Sequence, residues 1–582
     1  MDQKVQQRKS AFSMNPQIER DRDMLVLARK KGKGALVGAF VRLSGPGWLQ
    51  SAITLGGGSL SSSMYLGILG GFAFLWLQPL AMVAGIVMLS AISYVTLSTD
   101  ETPLKAINRH VNPVLGWGWL VASMTANIVW SITQYSLGIA SLQQNLFEGI
   151  LGEGGALGGA GKYVAAAIVL CVAVSASMLY SFGGRGAKTF DILVKCLVGT
   201  TVVCFVAVVA RLLWTGQIAV GELLNGFLFH SRLLMQPVEA FSDKIAQVAP
   251  AYQDFWSNII VRQQRDVMIS AGATAVGINM TFLLPYSMLR KGWDREFRGL
   301  AIFDLATGLF FPFVLATSCV VIAAASQFHG VAAPGLLGEK DPHGNPVMPA
   351  KNLIGPFDEL LAQRVKAELG KEAYNALSPD EQQARKDALP EADRKVAAMF
   401  VKRDAFNLAA ALAPITGDRF ARYVFGLGVM GMAMGASTMQ MLINGLCFCA
   451  LLDVPAKGWR QRAGMLMPGI AIVVPLFWKG AQMWLAIVTS VFCMTLLPFA
   501  YLSFFLLMNH KKYLGTDAPS GAKRILWNVL MVPSCILACI GAFWSIYSKL
   551  GAAYSALVIG AFLVLVAIGH AIRGVIYPET SA

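Results

Sequence analysis

The sequence predicts an all-α membrane protein with about twelve transmembrane helices, in which two inverted five-helix repeats precede two extra C-terminal helices. Three observations support this prediction. Only 14% of the residues are charged and 55% are hydrophobic, whereas a soluble domain is about one quarter charged. Apolar segments of about 20 residues, the length of a membrane-spanning helix, recur along the chain. Two of these segments, the first and the sixth, contain helix-breaking residues near their middle.

Twelve segments are apolar enough to be candidate spans, and the ninth of them is short. They are 43–70, 72–97, 115–147, 161–182, 189–214, 266–290, 299–326, 421–452, 463–478, 482–508, 525–547 and 552–575. The chain is accordingly divided into a basic cytoplasmic tail (1–42), the first repeat (43–214), an external loop (215–265), the start of the second repeat (266–326), an external polar helical cap (327–420), the rest of the second repeat (421–508) and two C-terminal helices (525–582).

The distribution of Lys and Arg predicts the orientation. With the N-terminus in the cytoplasm, the short internal loops hold fifteen Lys and Arg residues and the short external loops hold three. Because positive residues are retained on the cytoplasmic side, both termini are expected there, in a multi-pass protein of the plasma (inner) membrane. This bias accounts for the net charge of +15. Since no segment interleaves aromatic and basic residues as a nucleic-acid surface does, no nucleic-acid partner is expected. No cofactor and no enzymatic activity are expected either.

One helix start can be placed within the cap. Ser378-Pro379-Asp380-Glu381 combines a favoured N-cap residue, a proline suited to the first turn and two acids at the positive end of a helix. We therefore expect a solvated helix from this point to about Arg403.

Helix-breaking residues mark the first and sixth candidate spans. The first contains 45–47 (Gly-Pro-Gly) and then Gly56-Gly57-Gly58-Ser59 in mid-span, and the sixth brackets Asn279, Met280 and Thr281 between Gly277 and Pro285. Glycines can instead serve close helix packing, but that use spaces them four apart. Breaks five spans apart are typical of inverted-repeat transporters, whose substrate site lies between the broken helices. The candidate substrate-binding residues are Gly56, Gly57, Gly58, Ser59, Asn279, Met280 and Thr281.

The order and spacing of these motifs resemble the NRAMP family (natural resistance-associated macrophage protein) of divalent metal transporters. In that family a G-P-G motif is followed by D-P-G-N, at the same spacing that separates 45–47 from 56–59 in this chain. The remaining similar motifs are Phe74-Leu75-Trp76, Asp304, Gly435-Ala436-Ser437-Thr438 and Trp459-Arg460-Gln461-Arg462, and the resemblance runs from about residue 43 to about 510. It implies a LeuT-like fold, a divalent cation as substrate and Asp304 as a candidate coupling residue. The alternative for Asp304 is an ion pair with a basic residue of the preceding loop.

The departures from the family pattern lie at the metal site. Gly56 stands in place of the family's metal-binding Asp and Ser59 in place of its Asn, so the chain resembles a divergent branch that lacks these ligands. The M-P-H motif of the sixth span is also missing: Thr281 or Leu284 aligns with the Met, and Met280 is one residue away. The third span has no acid where the family carries carboxylates.

Three functions are compatible with this pattern. A site without a carboxylate cannot offset the dehydration of a transition metal, and Mg²⁺, which keeps most of its water, is the favoured substrate. No tight metal site is expected, and Gly56→Asp with Thr281→Met is expected to create Mn²⁺ binding. The first alternative is a transporter of a small organic or anionic solute, and the second is a non-transporting sensor or scaffold that works through the cap. The oligomeric state is not predicted.

Overall fold

The computed structural model describes residues 16–44, 51, 53–99, 101–152, 154–182, 184–216, 218, 220–404, 407–409, 417, 420–478 and 481–577. Over these ranges the protein is helical, and the one β-type pairing is an isolated bridge between Lys340 and Pro346. The predicted all-α class is therefore confirmed. Seven described helices or helix pairs are long and apolar enough to cross a membrane, which leaves the count of twelve a prediction. They are Leu77–Ser98, Gly158–Leu179, Pro250–Arg290, Arg295–Phe328, Arg422–Leu451, Trp484–Met508 and Gly521–Ile576.

Among the described residues, the first half of the chain contains seven main helices. They are α1 (Pro16–Lys31), α2 (Lys33–Leu43), α3 (Gly57–Gly70), α4 (Leu77–Ser98), α5 (Pro113–Ala140), α6 (Gly161–Phe182) and α7 (Gly184–Trp214). Helix α5 shows why the boundaries fall where they do: Pro113 occupies its first turn, and the Asn112 side chain accepts a hydrogen bond from the Val114 backbone N–H at 2.8 Å. An Asn cap followed by a proline is a typical helix start.

The second half continues with α8 (Pro250–Ala275), α9 (Ile278–Arg290), α10 (Arg298–Leu305) and α11 (Phe311–Phe328). After the cap follow α16 (Phe425–Leu451), α17 (Gly458–Leu466), α18 (Val473–Phe477), α19 (Trp484–Met494), α20 (Leu497–Met508) and α21 (Gly521–Ile576). Gly551, at φ 75°, interrupts α21, as expected for two C-terminal helices. Short helices in the connections are Pro103–Ala106, Glu148–Leu151, Val220–Asn225, Glu239–Ile245 and Lys511–Leu514.

Among its described residues up to 404, the cap contains four helices, α12 (Lys351–Leu369), α13 (Lys371–Ala376), α14 (Pro379–Asp387) and α15 (Glu391–Phe400). The predicted helix start is confirmed, because Ser378 and Glu381 form a reciprocal capping box. The predicted single helix to about Arg403 is wrong: it is divided before Pro390, since the residue preceding a proline disfavours helical geometry. Nor is α15 solvated, since Asp393 and residues 396–400 are buried.

The cap packs on the extended start of α8. Trp256 on α8 is fully buried, and its indole N–H donates to the Asp393 carboxylate at 2.8 Å. The Arg364 guanidinium donates to the same carboxylate oxygen at 2.8 Å and lies 3.2 Å from the centre of the Tyr252 ring. The apolar segment of the sixth span starts only at residue 266, but α8 already begins at Pro250. The contacts with the cap explain this longer helix.

Candidate functional site

The first and sixth spans are both interrupted, at positions close to those that the sequence predicts. In the first span, Gly56 is extended (φ −86°, ψ −178°) and α3 begins at the next residue. In the sixth span, Val276 and Gly277 are extended between α8 and α9. The predicted interruption up to Pro285 is wrong, because this proline lies inside α9. Each break therefore leaves the last carbonyls of one helix and the first N–H groups of another without intrahelical partners. The Gly-Pro-Gly motif at 45–47 lies outside the described residues.

The two breaks face each other. The Thr54 hydroxyl, on the turn just before Gly56, donates to the Met280 sulfur at 3.4 Å. The Ser59 hydroxyl donates to the Thr54 carbonyl and lies 3.3 Å from the Gly56 carbonyl. Met280 is 1% exposed. A thioether thus lies at the break, and it belongs to Met280. Position 281, which one alignment pairs with the family's Met, does not take that place.

Helix α5 lines both breaks with amide side chains. Gln134 Oε1 accepts a hydrogen bond from the Gly57 backbone N–H at 3.2 Å, which caps the start of α3. Asn127 Oδ1 accepts one from the Asn279 amide at 3.2 Å. Between them on the same helix, the Ser131 hydroxyl donates to Gln440 Oε1 of α16 at 2.9 Å. Four helices, α3, α5, α9 and α16, therefore meet around the breaks through neutral groups.

Asn127, Ser131, Gln134 and Gln440 are absent from the residues that the sequence predicts for the site. A signal for the first three exists, because positions 127, 131 and 134 share one face of a helix. The sequence does not reveal which face of α5 meets the breaks.

The predicted glycines are mainly positions of close packing. A Cβ on Gly57 would lie 2.2 Å from Leu137 Cδ1, and one on Gly58 would lie 2.6 Å from the Trp130 ring. A Cβ on Gly56 would lie 2.8 Å from the Cβ of Ala436 on α16. A side chain at position 56 therefore displaces α16 unless the backbone shifts.

Thr281 points to a different part of α5. Its hydroxyl accepts a hydrogen bond from the Trp119 indole N–H at 2.9 Å and donates to the Ile278 carbonyl. Asn279 lies at the break, since its Oδ1 also accepts from the Met280 N–H at 3.0 Å. The structure thus brings together Gly56, Ser59, Asn279 and Met280, and it does not place Thr281 with them.

Uncharged groups surround the two breaks. Among the described residues, no cluster of three or more His, Cys, Asp or Glu side chains could hold a metal ion. A small cavity lies beside Gly56 and Ser59, and the other side chains that line it are mostly apolar, such as Phe205 and Met432. The arrangement offers hydroxyl, amide and carbonyl oxygens and one sulfur, with no formal charge to neutralise a bound ion.

Asp304 lies apart from the breaks. It is 1% exposed and accepts a hydrogen bond from the hydroxyl of Ser44, which ends α2. One turn further along the seventh span, the Gly308 carbonyl accepts from the Ser51 hydroxyl. Asp304 therefore contacts the stretch of the first span that precedes the break.

A helical membrane protein whose first and sixth spans are broken opposite each other has the architecture of an inverted-repeat transporter. Comparison with known proteins agrees with this class. Residues 395–544 match the family model described as "Natural resistance-associated macrophage protein-like".

Two solved structures of the Eremococcus coleocola manganese transporter are similar to this chain. A mutant form is 13% identical with a TM-score of 0.55, and covers 92% of this chain and 95% of its own. A complex with an aromatic bis-isothiourea substituted compound is also 13% identical, with a TM-score of 0.54, and covers 93% and 96%. No curated protein matches the chain. The resemblance to the NRAMP family and the predicted LeuT-like fold class are thereby confirmed; at this identity the two structures show the fold alone.

Proposed function

We propose that the protein is a secondary transporter of divalent metal cations that works by alternating access and favours Mg²⁺ over Mn²⁺. The match to the NRAMP-like family model and the fold shared with a manganese transporter support the transport of metal ions. The preference for Mg²⁺ is supported by one observation, the absence of formal charge among Thr54, Asn127, Gln134, Asn279 and Met280 around the breaks.

The physical argument concerns dehydration. Removing water from a dication in a low-dielectric site is offset only by nearby negative charge, and the described residues at the breaks supply none. Met280 offers a soft donor, but a thioether alone lacks the charge that would hold Mn²⁺ tightly. An ion that keeps most of its water needs only hydrogen-bond acceptors, and the amide oxygens of Gln134 and Asn127 are such groups.

A flux panel tests this proposal. The full chain in liposomes is assayed for uptake of Mn²⁺, Mg²⁺, Ca²⁺ and amino acids, with a pH-sensitive dye inside. We expect Mg²⁺ uptake with little preference for Mn²⁺. Uptake confined to Mn²⁺ would refute the selectivity, and uptake of amino acids without any dication would support the solute transporter instead.

The solute alternative depends on free N–H groups at the start of α3. The first of these, at Gly57, already donates to Gln134 Oε1, so a carboxylate ligand would have to displace that amide. The sensor alternative requires a cap that works apart from the spans, and it predicts no flux of any solute together with a partner bound to the cap.

Orientation and location belong to the same proposal. We place the protein in the plasma (inner) membrane with both termini in the cytoplasm and the cap outside. The support is the bias of Lys and Arg between the predicted loops. The surrounding lipid bilayer and the transported ion are the only partners proposed.

A further inference from the structure

A buried carboxylate lies on α8 on the cap side of the break. The Asp266 side chain is 9% exposed, and its Oδ2 lies 2.7 Å from the Lys549 ammonium of α21. Its other oxygen, Oδ1, is buried and has no hydrogen-bond partner among the described residues. A buried carboxylate oxygen without a partner is costly, so Asp266 has an acceptor position that the fold itself does not use.

Polar side chains continue from Asp266 towards the break at one-turn intervals. Ser270 and Thr274 follow at i+4 and i+8, which places them along the same side of α8 as Asp266. The Ser270 hydroxyl lies 2.6 Å from the Ser62 hydroxyl of α3. Thr274 lies next to Gly58, since its methyl group would be 3.5 Å from a Cβ at that position. A polar stripe thus runs between α8 and α3 and ends at the two breaks.

The polar stripe leads towards the C-terminal end of α8, which is the end of a helix dipole that attracts a cation. Helix α8 ends at Ala275, one residue beyond Thr274, and its last carbonyls carry the partial negative charge of a helix C-terminus. Ser270 is fully buried and Thr274 is 7% exposed, so the stripe is closed in this conformation.

Positive groups surround Asp266 as well. The Lys402 ammonium of the cap lies 4.4 Å over the Trp484 ring. Burial lowers the pKa of Lys402, and the negative charges of Glu359 and Asp266 partly offset that lowering. The Lys549 side chain is 51% exposed. Because a half-exposed lysine loses little on returning to water, its ammonium is an exchangeable counter-ion for Asp266.

We propose that Asp266 is the docking carboxylate for a divalent cation that enters from the cap side, that the cation displaces the Lys549 ammonium there, and that Ser270, Ser62 and Thr274 lead it to the breaks. This inference rests on the proposed function, because it supplies the outer end of the same transport path. The lysines nearby keep the docking weak, which suits a position through which an ion passes.

The two partners of the ion pair should have opposite effects on transport. Asp266→Asn removes the docking charge and should raise the KM for Mg²⁺ by about tenfold. Lys549→Gln removes the competing ammonium and should lower the KM by about threefold. The maximal rate should change little in either variant, because neither residue contacts the breaks. Asp266→Glu keeps the charge and should stay close to the wild type.

The measurement is Mg²⁺ uptake from the medium into intact cells that express the full chain, normalised to the amount of folded protein at the surface. A matched control is the Asp358–Lys386 pair of the cap, whose ammonium and carboxylate are 3.1 Å apart. Asp358→Asn and Lys386→Gln should leave the KM unchanged.

A purely structural ion pair predicts a different result. Asp266→Asn and Lys549→Gln would then change transport in the same direction, and the exchanged pair Asp266→Lys with Lys549→Asp would restore it. Either outcome, or an unchanged KM in both single variants, overturns the docking role and leaves the proposed function intact. Absence of Mg²⁺ uptake by the wild type would instead refute the proposed function, and the docking role with it.

Discussion

Replacing Gln134 with glutamate should convert the neutral site into one that binds Mn²⁺ tightly. Gln134 lies on α5, and its Oε1 caps the first N–H of α3 at 3.2 Å. Glutamate has nearly the same shape and keeps that acceptor oxygen, so the packing around Gly57 is retained. The change therefore adds one negative charge beside the breaks with little steric cost.

The expected gain follows from opposing electrostatic contributions. A negative charge about 4 Å from a dication contributes about 8 kcal/mol at an effective dielectric constant of about 20, which is twice the value for a unit charge. Withdrawing the carboxylate from water costs several kcal/mol in return, and the N-terminus of α3 offsets about 0.3–2 kcal/mol of that cost. We expect Mn²⁺ affinity to rise by a factor of about ten to a hundred, which corresponds to about 1.4–2.8 kcal/mol.

Calorimetry on the folded, purified chain measures this change. Gln143→Glu is the matched control, because Gln143 is at the far end of the third span, where its amide donates to the Leu151 carbonyl at 2.9 Å. That variant should bind Mn²⁺ as the wild type does. If Gln134→Glu folds and binds Mn²⁺ no more tightly, Gln134 does not face the cation. If the wild type already binds Mn²⁺ tightly and selectively, the interpretation of a charge-free site is wrong.

Three further predictions concern orientation, coupling and the cap. Cysteines placed in the cap should react with an impermeant reagent from outside intact cells and cysteines at 290–298 should not; the reverse would refute the orientation. Transport should cause little or no acidification of liposomes, because the third span has no carboxylate; acidification that Asp304→Asn abolishes would assign coupling to Asp304. Burial raises the pKa of Asp404 from 3.8 to about 6, so its contribution to stability is fully present below pH 3.8 and is lost as the pH rises through about 6. The free energy of unfolding should therefore rise by about 1.4 kcal/mol between about pH 7.5 and about pH 5, and denaturation of Asp404→Asn should lack this dependence.

The sequence was sufficient to predict the fold class because composition and apolar length are properties of single segments. Helix α8 shows the limit of that approach. Residues 250–265, which precede the predicted sixth span, contain three charged side chains, so an apolar criterion excludes them. They nevertheless form a helix, because Trp256 is buried against Asp393 of the cap. That stabilisation comes from a residue far away in the sequence.

The candidate site was predictable in position but not in detail. A run of three glycines indicates permissive backbone, but it does not say which residue leaves the helix. The contact of Gln134 with Gly57 places the end of the break at Gly56, and Leu137 and Trp130 require the glycines at 57 and 58 for close approach. The sequence suggested the double variant Gly56→Asp with Thr281→Met as a way to create Mn²⁺ binding. In the structure, a side chain at position 56 would clash with Ala436, and Thr281→Met would remove the hydroxyl that accepts the Trp119 hydrogen bond. Gln134→Glu is therefore the better test of the same idea.

The attachment of the cap bears on the choice between transporter and sensor. Asp393 is fully buried, and besides its ion pair with Arg364 inside the cap it accepts a hydrogen bond from the Trp256 indole of α8. Separating the cap from α8 would remove that hydrogen bond from a buried carboxylate, which costs about 1.5–3 kcal/mol. The Tyr65 hydroxyl, on the helix that begins at the first break, donates to the Arg403 carbonyl at 2.7 Å. The cap is thus bound to the cap-side halves of the same two broken helices that form the site. A sensor domain that binds partners independently would not need these contacts, whereas a transporter whose outer helices move during the cycle would transmit that movement to the cap.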